Sequence, residues 1–173
     1  MNEVMLDLET MGTGSNAAII AIGAVRFDTG TQETTDEFYE VVDLQSCVDF
    51  GLEIDPSTVM WWMRQSDEAR KEFERRGEPL HVVLLNFEAW LGEDAVVWGN
   101  GAAFDNTILA NAYRKCAIKQ PWMFWDDRCY RTMKCLYPEV PFVRLGDHHN
   151  AVDDARSQAE HLMRIIQAMD GEQ

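Results

Sequence analysis

At 173 residues and 46% hydrophobic composition, the chain is long enough for one full core that removes roughly two thirds of its unfolded surface from water. Its longest apolar runs, AAIIAIGAV and VVLL, are far short of a membrane span, and the start MNEVMLDLE lacks the basic-then-apolar layout of a signal peptide, so residues 1–173 read as one soluble, cytoplasmic domain with no membrane partner. The formal net charge of −15 argues at first sight against a polyanionic partner.

The predicted elements run in chain order from strands to alternating helices. EVMLDLE alternates, with Val4, Leu6 and Leu8 on one face and Met5, Asp7 and Glu9 on the other. After the turn TMGTGSN, AAIIAIGAVRFD reads as a longer buried strand, and TGTQ turns it into a third, ETTDEFYEVV, giving an antiparallel meander. DPSTVMWWMRQ opens a helix with Asp55 as N-cap and Pro56 at the first helical position. Ser66 caps SDEARKEFERR, and PLHVVLLNFEAWLG is a helix stopped by Gly92. A short strand, AVVWGN, leads into the helix AFDNTILANAYRKC. WMFWDD reads as the fifth strand, RCYRTMKCLYP as a short helix and FVRLGDHHN as a loop. The closing helix AVDDARSQAEHLMRIIQAM places Val152, Ala155, Ala159, Leu162 and Ile166 on one face. Cys47, Cys116, Cys129 and Cys135 have neither CxxC nor zinc-finger spacing and read as reduced, mostly structural thiols.

Chemistry concentrates in three fragments. On the first strand the two-residue period sets Asp7 and Glu9 side by side, and two such close carboxylates drawn inward require a cation. Hard oxygen ligands favour Mg²⁺ or Mn²⁺ over zinc. Asp105 follows the strand AVVWGN in the first turn of the next helix, where the dipole tolerates an anion and open α/β sheets gather ligands; Asn100, Gly101 and Phe104 surround it. In HNAVDDA, Asp154 enters the first turn of the last helix while His149 stays on the preceding loop. A rigid acid suits a metal ligand, and a histidine beside a dication stays neutral and able to accept a proton. The residues alone leave the register open, because His148 and Asp153 are adjacent alternatives. The acidic balance is also uneven: residues 114–144 carry seven Lys/Arg (Arg114, Lys115, Lys119, Arg128, Arg131, Lys134, Arg144) against three acids, a local +4 able to steer a phosphate backbone.

The fragments DLET, NGAAFD and HNAVDDA resemble the DEDD exonuclease superfamily in its histidine-bearing DEDDh, or DnaQ-like, branch. Together with IDPSTVMWWMRQ, they are similar to a group of small phage and bacterial exoribonuclease-like proteins over nearly the whole chain. The resemblance implies an α/β, ribonuclease H-like fold: a five-stranded mixed sheet, three antiparallel strands continued by two parallel ones, flanked by helices. It selects the register His149 with Asp154. It implies a metal-dependent 3′-to-5′ exonuclease releasing 5′-mononucleotides from RNA or DNA with a 3′ end, through two ions about 4 Å apart. Asp7, Glu9, Asp105 and Asp154 would hold the ions and His149 would be the general base. Thr10, Met11, Asn100 and Phe104 are the candidates for the terminal nucleotide, and of Trp61 and Trp62 one is expected in the core and the other toward the cleft. A homodimer is expected from several relatives. Two other functions compete: a silent relative that binds nucleic acid or protein, opposed by the intact acids, and a ribonuclease H-type endonuclease, which usually lacks the histidine.

Overall fold

The structure, a computed structural model, describes residues 2–146 and 149–171. A mixed sheet is built from β1 (Asn2–Thr10), β2 (Ile19–Asp28), β3 (Glu33–Val41), β4 (Ala95–Gly99) and β5 (Asp127–Cys129) in the spatial order β3-β2-β1-β4-β5. β2 and β3 run antiparallel to their neighbours, whereas β4 pairs parallel to β1 and β5 parallel to β4. This is the expected mixed sheet, and it makes β1 the central strand. Its alternation therefore serves two layers.

Val4, Leu6 and Leu8 face one layer, joining Ile20 and Ile22 of β2 to the side chains of α4 (Leu80–Leu91) and α5 (Asp105–Lys115), including Leu84, Phe87 and Ile108. Met5 faces the other, where Val25 and Phe27 meet Tyr130 of α6 (Tyr130–Leu136) and Ala155, Ala159 and Leu162 of α7 (Ala151–Gly171). The small residues of α7 allow it to lie close to the sheet. Gly23 makes the closest approach possible: it pairs with Asp7 across β1–β2, and a Cβ there would come within 2.2 Å of the Ala151 carbonyl carbon. The start of α7 is thus laid directly over β2, at the position paired with Asp7 of the central strand.

Several boundaries differ from the sequence expectation. WMFWDD is not a strand. Asp126 N–H bonds back to Met123 O (2.9 Å), closing a 3-10 turn over Phe124–Asp126, and only Trp122 of the aromatic run is buried, its indole N–H reaching Asp127 Oδ1 at 2.9 Å. The strand begins at Asp127 and takes the first residues of the helix expected over 128–138. The helix expected over 66–76 is only α3 (Asp67–Arg70) followed by a 3-10 turn, Lys71–Glu74; so charged a segment has little apolar face to dock. A short helix missed in the sequence, α1 (Leu44–Asp49), is capped by Asp43, which accepts from Gln45 N–H, and anchored by the buried Cys47. α2 (Pro56–Trp62) starts as expected on Asp55 and Pro56, and Gly92 ends α4 at φ +69°. Among the described residues, no helix is long and apolar enough to cross a membrane.

Candidate active site

Asp7 and Glu9 point from the C-terminal half of β1 toward α7, and an irregularity at Glu9/Thr10 ends the strand's regular pairing with β2. α7 answers with Asp154 and, one turn later, Gln158, whose amide donates to Asp7 Oδ1 at 2.7 Å. These side chains and His149 line one cavity of about 210 Å³, together with Asn100, Tyr130, Lys134, Phe142 and Arg144. Carboxylate oxygens of Glu9 and Asp154 and a ring nitrogen of His149 lie within 4.8 Å of one another.

Asp105 is buried behind this group. It is the first residue of α5, placed there by β4, and Gly99 at the end of β4 admits it: a Cβ on Gly99 would stand 3.1 Å from the Asp105 Cβ. Asp105 Oδ1 accepts from the Leu8 N–H at 3.2 Å, which ties α5 to β1 between the two strand acids. Burial pushes its carboxyl up to about 7, against the lowering effect of the Leu8 N–H and the Arg131 guanidinium. Asp7 is raised well above its ordinary value, first by burial and then by the charges of Asp105, Glu9 and Asp154, with the Gln158 amide opposing.

Asp153, the alternative acid, is committed elsewhere. Its carboxylate pairs with Arg156 at 2.7 Å, and Arg156 also binds Glu37 of β3. His148 lies outside the described residues. His149 has a left-handed backbone, φ +64°, and its ring is walled by both tryptophans, with centroids 5.1 Å from Trp61 and 5.8 Å from Trp62 in edge-to-face arrangements. Trp62 is the core member of that pair, its indole N–H donating to Thr10 O at 3.0 Å, while Trp61 is 43% exposed.

A second, apolar cleft of about 420 Å³ adjoins the first, with Glu9 lining both. Leu8, Thr10, Trp61, Trp62 and Phe104 form its walls. Thr10 and Phe104 thus stand at the cleft and Asn100 at the acidic cavity. Met11 does not. It is turned into the core, 8% exposed, because its N–H and C=O are tied to Ala18 and Asp55, so that its side chain packs under the strand instead of over the cleft. Sequence reasoning missed Gln158 and the site position of Arg144. The first was legible as the residue four after Asp154 on the same helical face; Arg144 sits on an irregular loop and had no periodic signal.

The donor set suits a hard divalent cation. Three carboxylates and an imidazole converge with the cationic Arg144, which bonds to Asp154 Oδ1, and Gln158 Oε1 is buried with no hydrogen-bond partner among the described residues. Like charges at such spacing need a counter-charge, and oxygen-rich donors of this kind could hold a divalent cation.

Comparison with known proteins gives a consistent picture. The family model of the 3′-5′ exoribonuclease Rv2179c-like domain matches residues 2–166. The exodeoxyribonuclease of Enterobacteria phage T4 is 28% identical over 163 residues, covering 76% of this chain and 70% of that protein. The PolC-type DNA polymerase III of Listeria welshimeri is 25% identical over 177 residues, covering 94% of this chain and 11% of the polymerase, so the chain spans about a tenth of such relatives. Among solved structures, the nuclease domain of 3′hExo, a DEDDh family member bound to rAMP, superposes with a TM-score of 0.65 at 15% identity, over 96% of this chain and 92% of that one. The zinc-bound complex of E. coli ExoI with single-stranded DNA gives 0.69 at 13% identity, over 98% and 43%. At these identities the structures establish the shared ribonuclease H-like fold.

Proposed function

The chain belongs to the 3′-5′ exoribonuclease Rv2179c-like domain family of DnaQ-like 3′-5′ exonucleases, and from that premise we propose that it removes 5′-mononucleotides from the 3′ end of single-stranded or overhanging RNA or DNA. The observation that carries this reading is the convergence of Asp7, Glu9, His149 and Asp154, from opposite ends of the sequence, on one cavity that shares Glu9 with an apolar cleft. In this reading the terminal base lies in the cleft lined by Trp61 and Phe104, and its phosphate is presented to the acids, a placement supported by Glu9 lining both spaces. The family description names ribonuclease activity, and the phage relative's name, exodeoxyribonuclease, extends the reading to DNA.

Asp7, Glu9, Asp105 and Asp154 would hold two ions, Mg²⁺ or Mn²⁺. Bound there, they would acidify the attacking water and stabilise charge on the phosphorus oxygens and the leaving 3′ oxygen. His149 accepts the proton of that water as its oxygen attacks phosphorus. The bond from phosphorus to the 3′ oxygen of the preceding nucleotide breaks, and that oxygen takes up a proton from solvent. The products are a nucleoside 5′-monophosphate and a strand shortened by one, with a new 3′ hydroxyl. Trp61 and Trp62 hold the His149 ring by its faces and edges, and Gln158 fixes the Asp7 carboxylate.

Oligonucleotides of matched RNA and DNA sequence, labelled at either end and incubated in Mn²⁺, test the proposal. Immediate release of labelled mononucleotide from the 3′-labelled strand, with a ladder from the 5′-labelled one, is the expected result. Internal fragments at first turnover would mark an endonuclease, and binding without cleavage a silent relative.

A further inference from the structure

We propose that Arg144 is a counter-ion for Asp154 that yields to the incoming divalent ion and then, with Lys134, grips the phosphate of the terminal nucleotide. This rests on the metal-dependent reading above. Arg144 Nη1 bonds to Asp154 Oδ1, on the carboxylate whose other oxygen, Oδ2, accepts from the His149 N–H at 3.2 Å. Both oxygens of this acid are therefore engaged by donors from the loop preceding α7. The pair is asymmetrically exposed: 35% of the Arg144 side chain is open to solvent against 13% of Asp154, so the arginine can leave while the acid stays.

Its destination is prepared. Arg144 and Lys134 both line the acidic cavity, and both stand against the ring of Phe142, with Lys134 Nζ 4.9 Å and Arg144 Cζ 5.7 Å from the ring centroid. In a chain of net charge −15, two cations on one aromatic ring at the mouth of a carboxylate cavity are out of keeping with the surroundings. The cation–π contacts hold them at the rim without neutralising them. A guanidinium suits phosphate as well as carboxylate, by the same planar fork of donors. Once dications replace it at Asp154, the arginine is left facing the group that the ions attract. The loop that carries it is itself pinned to α7, because Leu145 N–H donates to Ser157 Oγ at 2.9 Å and His161 bonds to Val140 O at 2.8 Å. The backbone on either side of Arg144 is therefore held at Val140 and Leu145 while its side chain exchanges partners.

Titration calorimetry on the wild type, Arg144→Ala and Lys134→Ala tests this, with circular dichroism confirming each fold. The probes are Mn²⁺ alone, then adenosine 5′-monophosphate and adenosine at saturating Mn²⁺. Arg144→Ala is expected to bind Mn²⁺ more tightly, on the order of threefold, as the competing ion pair is lost. It should bind the monophosphate about tenfold more weakly and adenosine unchanged. Lys134→Ala should weaken the monophosphate alone. If Arg144→Ala binds Mn²⁺ no more tightly than the wild type, or loses adenosine together with the monophosphate, this inference is overturned while the proposed function stands. If the wild type binds no Mn²⁺, both fall.

Discussion

Asp7 carries the electrostatic burden of the site. Burial and three neighbouring carboxylates raise its pKa, and Asp105 behind it is pushed up to about 7. A carboxyl whose folded pKa exceeds its unfolded value binds protons more strongly in the folded state, so stability is lost as pH rises between the two values. In EDTA the thermal midpoint is therefore expected to fall as pH rises from about 4 to about 7, the window set by Asp105. Asp105→Asn should flatten that slope. Added Mn²⁺ should restore stability most at the high-pH end, where the acids are ionised. A midpoint in EDTA that climbs steadily through this window would contradict the assignment. Asp7→Asn should be more stable than the wild type without metal yet lose activity by on the order of a thousandfold, a split read by calorimetry and single-turnover rates. The pairing of Asp7 with Glu9 was legible in the sequence because the two-residue period of a strand puts them on one face. Helical periodicity located the start of the last helix but could not choose Asp154 over Asp153, a choice that came from the family resemblance. The direction of Met11 was not legible, since it depends on the irregularity at Glu9/Thr10 and on backbone bonds to Ala18 and Asp55.

The element that makes the site is α7, and its position depends on the lack of a side chain at Gly23. Gly23→Ala would drive a methyl into the Ala151 backbone and lift the helix start that carries Asp154. A loss of about 1–3 kcal/mol in denaturant unfolding is expected, with activity reduced on the order of 100-fold by displacement of Asp154. Retention of wild-type activity would show that the close approach is not needed. The amphipathic stripe of α7 and the alternation of β1 are strong local signals, and both elements were read correctly. The fifth strand failed for a definite reason: in WMFWDD apolar character stands in for burial, but Phe124 and Trp125 are 75% and 61% exposed and a 3-10 turn claims the segment. α1 gave no signal because six residues with one buried side chain have no period to detect.

Across the whole molecule, the contrast between net charge and substrate resolves by location. Of the seven basic residues in 114–144, only Lys134 and Arg144 line the acidic cavity, with Arg131 beside Asn100, whose carbonyl it binds at 2.6 Å. Arg114 bonds Asn111, Arg128 bonds Trp125 O and Lys119 lines a separate depression. The local +4 is therefore not one basic stripe, a distinction that counting charges along a sequence cannot make. With about three phosphate contacts to a single strand, log affinity should fall with log salt at a slope near −2, measured by anisotropy with the Asp7→Asn variant. A slope several times steeper would point to an extended basic track instead. The central claim, that separated acids form one pocket for two dications at a 3′ end, is tested most directly by anomalous diffraction from crystals soaked in Mn²⁺ and adenosine 5′-monophosphate. Two peaks are expected among Asp7, Glu9, Asp105 and Asp154, with the phosphate beside them and the base between Trp61 and Phe104; no peak in that cavity, or manganese bound only elsewhere, would contradict it.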